Sequence, residues 1–236
     1  MKRIISLLTI ACAFAISMFA ANETYSLNIG QFDKLNVSDN VELVYHCNPD
    51  STGYVVYSAP KNLADAFIFS NTKGTLKIQV STEEVYRENL PVLHVYSDYL
   101  TSVISSSDLP VTIYSLSSVP TFYAKLIGNG KIVANEVKAN EVEANFVTGN
   151  GEIIIGGSCK LAKYKMVGAG TIQADEMKAD AVQCKVMGAG NIGCWPVDKL
   201  DVRGIGSTKI YYKGSPEVKK VGGGKLFPLS EEKEEE

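Results

Sequence analysis

The sequence predicts an all-β protein, a three-sided parallel β-helix with about twenty residues per coil. Three observations predict it. First, a Gly-x-Gly triplet recurs: Gly128-Asn129-Gly130, Gly149-Asn150-Gly151, Gly168-Ala169-Gly170, Gly188-Ala189-Gly190, Gly204-Ile205-Gly206, then Gly222-Gly223-Gly224. Their first glycines lie 21, 19, 20, 16 and 18 residues apart. Second, apolar residues keep fixed offsets from each triplet. Two before the first Gly stand Leu126, Val147, Met166, Val186 and Val202; four after it stand Ile132, Ile153, Ile172, Ile192 and Thr208; six after it stand Ala134, Ile155, Ala174, Cys194 and Ile210. Apolar positions two apart on both sides of a glycine corner read as short strands with one face inward. Val137, Met177 and Val197, nine after their glycines, supply a third inward side. Third, the period is too short for a βαβ unit, which needs roughly thirty residues.

Taken in order, the chain opens with Lys2 and Arg3 and the apolar run Ile4–Phe19, the pattern of a secretory signal over residues 1–21. The run is short for a transmembrane span. Ala20 and Ala21 suit cleavage, whereas Met18 departs from the preferred small residue. Cys12 offers a lipid anchor instead, but Thr9-Ile10-Ala11 before it lacks the usual Leu, so ordinary export is the preferred reading. Residues 22–229 are expected to form one β-helix domain, with irregular coils to about residue 120 and regular Gly-x-Gly coils after it. In the irregular part Val41/Leu43/Tyr45, Val55/Tyr57, Phe67/Phe69, Leu76/Ile78/Val80 and Leu93/Val95 alternate, and Pro49–Gly53 and Asn71–Gly74 read as turns. Ser105-Ser106-Ser107 reads as a degenerate corner. Helical pattern is limited to Lys61–Ala66 and Thr82–Arg87. Residues 230–236 read as an acidic disordered tail.

Phe32-Asp33-Lys34-Leu35-Asn36-Val37-Ser38-Asp39-Asn40-Val41-Glu42-Leu43, then Gly74-Thr75-Leu76-Lys77-Ile78, then the Gly-x-Gly ladder, resemble the putative auto-transporter adhesin, head GIN domain family. The resemblance spans about residues 28–228. It implies a right-handed parallel β-helix, in an exported bacterial protein. That family's repeats usually read Gly-Ser-Gly-Asp; here Asn, Ala, Ile or Gly replaces the Ser, and Lys131, Glu152, Thr171, Asn191 and Ser207 replace the Asp. The adhesin label names no binding residue, so none is carried over.

The chemistry legible in the sequence is sparse. Formal net charge is -3 and no basic stripe invites nucleic acid. Gly188–Gly193 matches G-x-G-x-x-G, but Cys194-Trp195-Pro196 follows where a dinucleotide site needs a helix, so no nucleotide is expected. Glu136 and Glu176 share a register two coils apart, with Gly157 between, and read as solvated charges rather than as a glycosidase pair. His46 and His94 lie far apart in sequence and form no metal set, so no metal or cofactor is expected. Cys47, Cys159, Cys184 and Cys194 fall in different registers, which predicts free thiols on different sides of the coil. Lys165, Lys185 and Asp201 share one outward register.

The candidate contact patch is Trp195, Tyr211 and Tyr212. Trp195 and Tyr211 both lie seven residues after their glycine, which predicts two rings side by side on adjacent coils. The sequence therefore reads as a non-catalytic, adhesin-like protein of the cell envelope that binds a glycan or a protein, in the periplasm, on the outer-membrane surface or secreted. A carbohydrate-active enzyme on the same scaffold and a self-associating envelope scaffold are the alternatives.

Overall fold

Alternation of apolar and polar residues makes strands, and the glycine corners turn those strands into coils. The computed structural model describes residues 22–81, 83 and 89–229, so the signal and tail expectations lie outside the described residues. The strands are β1 (Glu23–Asn28), β2 (Lys34–Val37), β3 (Leu43–Cys47), β4 (Tyr54–Ala59), β5 (Phe67–Thr72), β6 (Thr75–Val80), β7 (Leu93–Ser97), β8 (Ser102–Ser105) and β9 (Pro110–Ile113). They continue with β10 (Val119–Leu126), β11 (Lys131–Phe146), β12 (Glu152–Met166), β13 (Thr171–Val186), β14 (Asn191–Gly204), β15 (Lys209–Tyr212), β16 (Glu217–Gly222) and β17 (Lys225–Pro228).

From β10 onward every pairing is parallel, coil upon coil, as the period predicts. Ile132, Ile153, Ile172 and Ile192 are successive register partners and are fully buried. The column continues with Ile210, not Thr208, and then Leu226. The cause is that Gly204 pairs with Val186, so Gly206 rather than Gly204 takes the corner above Gly188. Thr208 instead fills the buried corner and donates its Oγ1 proton to the Gly188 carbonyl at 2.9 Å. Val197 is 40% exposed, and Pro196 turns inward instead, in register with Ala179 rather than with Met177. Between Cys194 and Trp195 the chain skips the residues that make the corresponding corner in β13, so everything after it is displaced.

The corners are tight. A Cβ added at Gly206, whose φ is +108°, would stand 2.3 Å from the Gly188 carbonyl oxygen. At Gly170, where no left-handed backbone is involved, it would stand 2.3 Å from the Gly151 oxygen and 2.4 Å from the Phe146 ring. Ser105–Ser107 does act as a corner: Ser107 is buried beneath Gly130, accepts from Val41 N–H and donates to the Val41 carbonyl at 2.8 Å.

The first half is less sequential than expected. Along one side the order is β6–β2–β8–β10, and along another β7–β3–β9–β11, all parallel. The β2–β3 coil is therefore flanked by two coils that both follow it in sequence. The strands β1, β4 and β5 join antiparallel: β1 on β4, β4 on β7 and β5 on β6. Lys73 and Gly74, with φ of 51° and 76°, make the two-residue turn of the β5–β6 hairpin. The helical expectation at Lys61–Ala66 reduces to a single 3-10 turn, Lys61–Leu63; that at Thr82–Arg87 lies outside the described residues except for Glu83.

The isoleucine column anchors one side of the core. Ile172→Ala should lower the free energy of unfolding by about 2–5 kcal/mol, as large-to-small core changes do. Chemical denaturation measures it, and a change near zero would contradict the register.

Candidate functional site

Side chains that alternate outward from in-register coils form columns along the solenoid axis, roughly 4.8 Å apart from coil to coil. The predicted aromatic pair does not share one. Trp195 pairs with Lys178, while Tyr211 pairs with Gly193, because the displaced last triplet sets Tyr211 two residues early. Trp195 is half-buried, with the Lys178 and Lys213 ammonium groups 5.5 and 5.4 Å from its ring centroid. Tyr211 stacks instead on Phe227 of β17, ring centroids 5.1 Å apart. Tyr212 pairs with Cys194 and packs partly buried against the core.

Lys213 also settles the surroundings of the acidic pair. It meets Glu176 at 2.6 Å and Asp175 at 3.8 Å. Glu136 sits on a bulge with φ of 60°, and Gly156, rather than Gly157, is the register partner of Glu176 between the two glutamates.

The same displacement changes the charged column. Asp201 aligns with Gln183, and Arg203 takes the place expected for it beside Lys185. The column reads Lys125, Asn145, Lys165, Lys185, Arg203. Its neighbour reads Tyr123, Glu143, Lys163, Gln183, Asp201. Two open hollows lie between these columns, one of about 420 Å³ lined by Glu143, Lys163, Lys165, Gln183 and Lys185, the other of about 250 Å³ lined by Gln183, Lys185, Asp201 and Arg203. They share Gln183 and Lys185 and form one trough across β12–β14. Lys163 is held by Glu141 at 2.7 Å, and Arg203 forks onto Asp201 at 2.6 Å, which holds the Asp201 carboxyl below the usual carboxylate range. Lys165 and Lys185 stand exposed.

His46 and His94, separate in sequence, meet in space: Nε2 of one lies 3.0 Å from Nδ1 of the other. The parallel pairing of β3 with β7 brings them together. The signal available in the sequence was their parity, since each alternates with buried neighbours. Among the described residues no group of three or more His, Cys, Asp or Glu is placed to hold a metal ion. Cys159, Cys184 and Cys194 are buried and Cys47 half-buried, all as free thiols. Different registers do not keep Cys184 and Cys194 apart, however, because strands on different sides of a narrow coil share one core. The neighbouring Cys194 thiol and burial push the Cys184 thiol well above its ordinary range, and burial pushes Cys159 to about 11. Neither is poised as a nucleophile.

Comparison with known proteins agrees with this architecture. Residues 31–216 match the family model described as Putative auto-transporter adhesin, head GIN domain. The chain is similar in fold to the crystal structure of a putative adhesin from Bacteroides fragilis NCTC 9343, with a TM-score of 0.78 at 19% identity, covering 88% of this chain and 97% of that one. It is also similar to a putative adhesin from Parabacteroides distasonis ATCC 8503, with a TM-score of 0.72 at 19% identity, covering 89% and 98% of the two chains. A putative lipid binding protein from the same organism gives a TM-score of 0.69 at 20% identity, covering 90% and 98%. No curated protein matches the chain.

Burial, and after it the neighbouring His94, lower the His46 pKa from its ordinary 6.5. The unfolded chain then takes up that proton at higher pH than the folded one. His46 thus contributes stability that is full above about 6.5 and is lost as pH falls below it. Thermal unfolding between pH 7 and pH 5 should show a loss that His46→Gln reduces. An NMR titration midpoint for His46 at or above the ordinary 6.5 would contradict it.

Proposed function

Because the chain belongs to the Putative auto-transporter adhesin, head GIN domain family, we propose that it is an exported, non-catalytic, adhesin-like module that binds an extended acidic glycan of the cell envelope. The observation that carries this reading is the trough across β12–β14, open along the solenoid axis and walled on one side by Lys165, Lys185 and Arg203. Cations repeated at the coil spacing complement a chain that repeats its own carboxylates. Among the described residues Lys165 and Lys185 form no ion pair and leave charge to offer, whereas Lys163 and Arg203 are already engaged. Export is supported by the charged and apolar pattern of residues 1–21.

Binding without turnover is supported by the acidic pair. An inverting glycosidase needs one carboxylic acid of raised pKa facing a second carboxylate across roughly 6.5–9.5 Å. Here Glu176 is engaged by Lys213 at 2.6 Å, and Gly156 is its register partner on the side toward Glu136. Trp195, Tyr211 and Tyr212, which the fold separates, rank below the trough as contacts in this proposal, because two ammonium groups already flank the Trp195 ring and Tyr212 packs against the core.

The test is titration of the purified protein with a soluble polyuronate at low and high salt, with new reducing ends assayed in parallel. Binding should weaken with salt, no reducing ends should appear, and Lys165→Glu/Lys185→Glu should weaken binding by about tenfold or more. Release of reducing ends would favour the enzyme reading. Unchanged affinity in the double variant would remove the trough, and concentration-dependent self-association without glycan binding would favour a scaffold.

A further inference from the structure

A different site lies in the first half of the solenoid, on the side built by β1, β4, β7, β3 and β9. The register there sets Tyr54 opposite Tyr96 and Tyr96 opposite His46. Tyr114 follows β9 directly, and its N–H donates to the Tyr45 carbonyl at 3.0 Å, which places it beside His46. The Tyr114, His46 and Tyr96 rings are stacked. Tyr114 to His46 is 5.9 Å between centroids at 27°, and His46 to Tyr96 is 4.8 Å at 14°. His94 stacks on His46 as well, 5.3 Å away, and hydrogen-bonds to it. His46 is thereby wedged between three rings, and Tyr96 is braced from behind.

On the side of Tyr96 toward β4 lies an open cleft of about 580 Å³. Tyr54 and Tyr96 line it together with Val56, and Ser26, Asn48 and Asp50 supply its polar groups. The polar end is also fixed: Asn48 Oδ1 accepts the Asp50 N–H at 2.9 Å and caps the 3-10 turn Pro49–Ser51. Tyr54 is 37% exposed.

We propose that this cleft is a sugar-binding site that takes one neutral pyranose ring, with its C–H face on Tyr96 and Tyr54 and its hydroxyls toward Asp50, Asn48 and Ser26. A pyranose has one apolar face and a rim of hydroxyls, and a cleft with aromatic walls and a polar end matches both. Tyrosines bring large contact area with little entropy to lose, and the stacked ladder behind Tyr96 lowers the ordering cost further. The Asp50 carboxylate accepts hydroxyl protons but repels another carboxylate, so the cleft discriminates against acidic sugars. It is therefore separate in both place and charge preference from the cationic trough.

NMR titration with the neutral methyl glycosides of glucose, galactose and mannose, and with methyl glucuronide, tests this. At least one neutral glycoside should shift the Tyr54 and Tyr96 ring signals at millimolar concentration, and methyl glucuronide should not. Tyr96→Ala and Tyr54→Ala should each weaken binding by about tenfold or more. Tyr96 packs on His46, so Tyr54→Ala, at an exposed position, keeps the test valid should the first variant misfold. Asp50→Asn should admit methyl glucuronide. Lys165→Glu/Lys185→Glu should leave neutral binding unchanged, which separates this site from the trough. Absence of shifts with every neutral glycoside, shifts that survive Tyr54→Ala, or preference for the glucuronide would overturn the proposal.

Discussion

The structure depends on how closely one coil can approach the next at its corners. The bonds that join coils there run through glycine carbonyls: Thr171 N–H to Gly151, Asn191 N–H to Gly170 and Lys209 N–H to Gly190, each at 3.0 Å. A side chain at these glycines would occupy the space the neighbouring backbone needs. Parallel strands about 4.8 Å apart leave no slack for it. Glycine at the corner is thus required by proximity as much as by backbone angle, which is why Gly170 is as constrained as Gly206.

Once the corners fix the spacing, in-register columns follow on both faces. Inward, they give a continuous apolar core from Phe32 to Ile210. Outward, they repeat whatever side chain the sequence places there, so a surface property extends over several coils without any loop to build it. Lys165, Lys185 and Arg203 gain meaning only as a column, and Tyr114, His46 and Tyr96 only as a stack. A solenoid of this kind presents extended and shallow surfaces, in keeping with recognition of extended ligands.

Where glycine marks the phase of every coil, the sequence could be read residue by residue; the isoleucine column from Ile132 to Ile192 is the example. It misled where one coil is shorter. Gly204-Ile205-Gly206 looks like its predecessors, yet the shortened corner before Trp195 moves the true corner to Gly206. That displacement of two residues separated Trp195 from Tyr211, exchanged Asp201 for Arg203 and turned Tyr212 inward. The first half was opaque for a different reason. The β2–β3 coil is paired on both sides by later strands, and no local pattern reports such an order. The Tyr114–His46–Tyr96 stack depends on that order and so could not be assembled from spacing alone.

The close-approach account is tested most directly at Gly170, where the backbone is not left-handed and only space is at issue. The denaturation midpoint of Gly170→Ala, compared with Ala169→Gly at the exposed position beside it, separates the two effects. The account predicts a loss of about 1–3 kcal/mol or more for Gly170→Ala, the range for overpacking a dense interior, and a smaller change for Ala169→Gly. A Gly170→Ala protein as stable as the parent would contradict it.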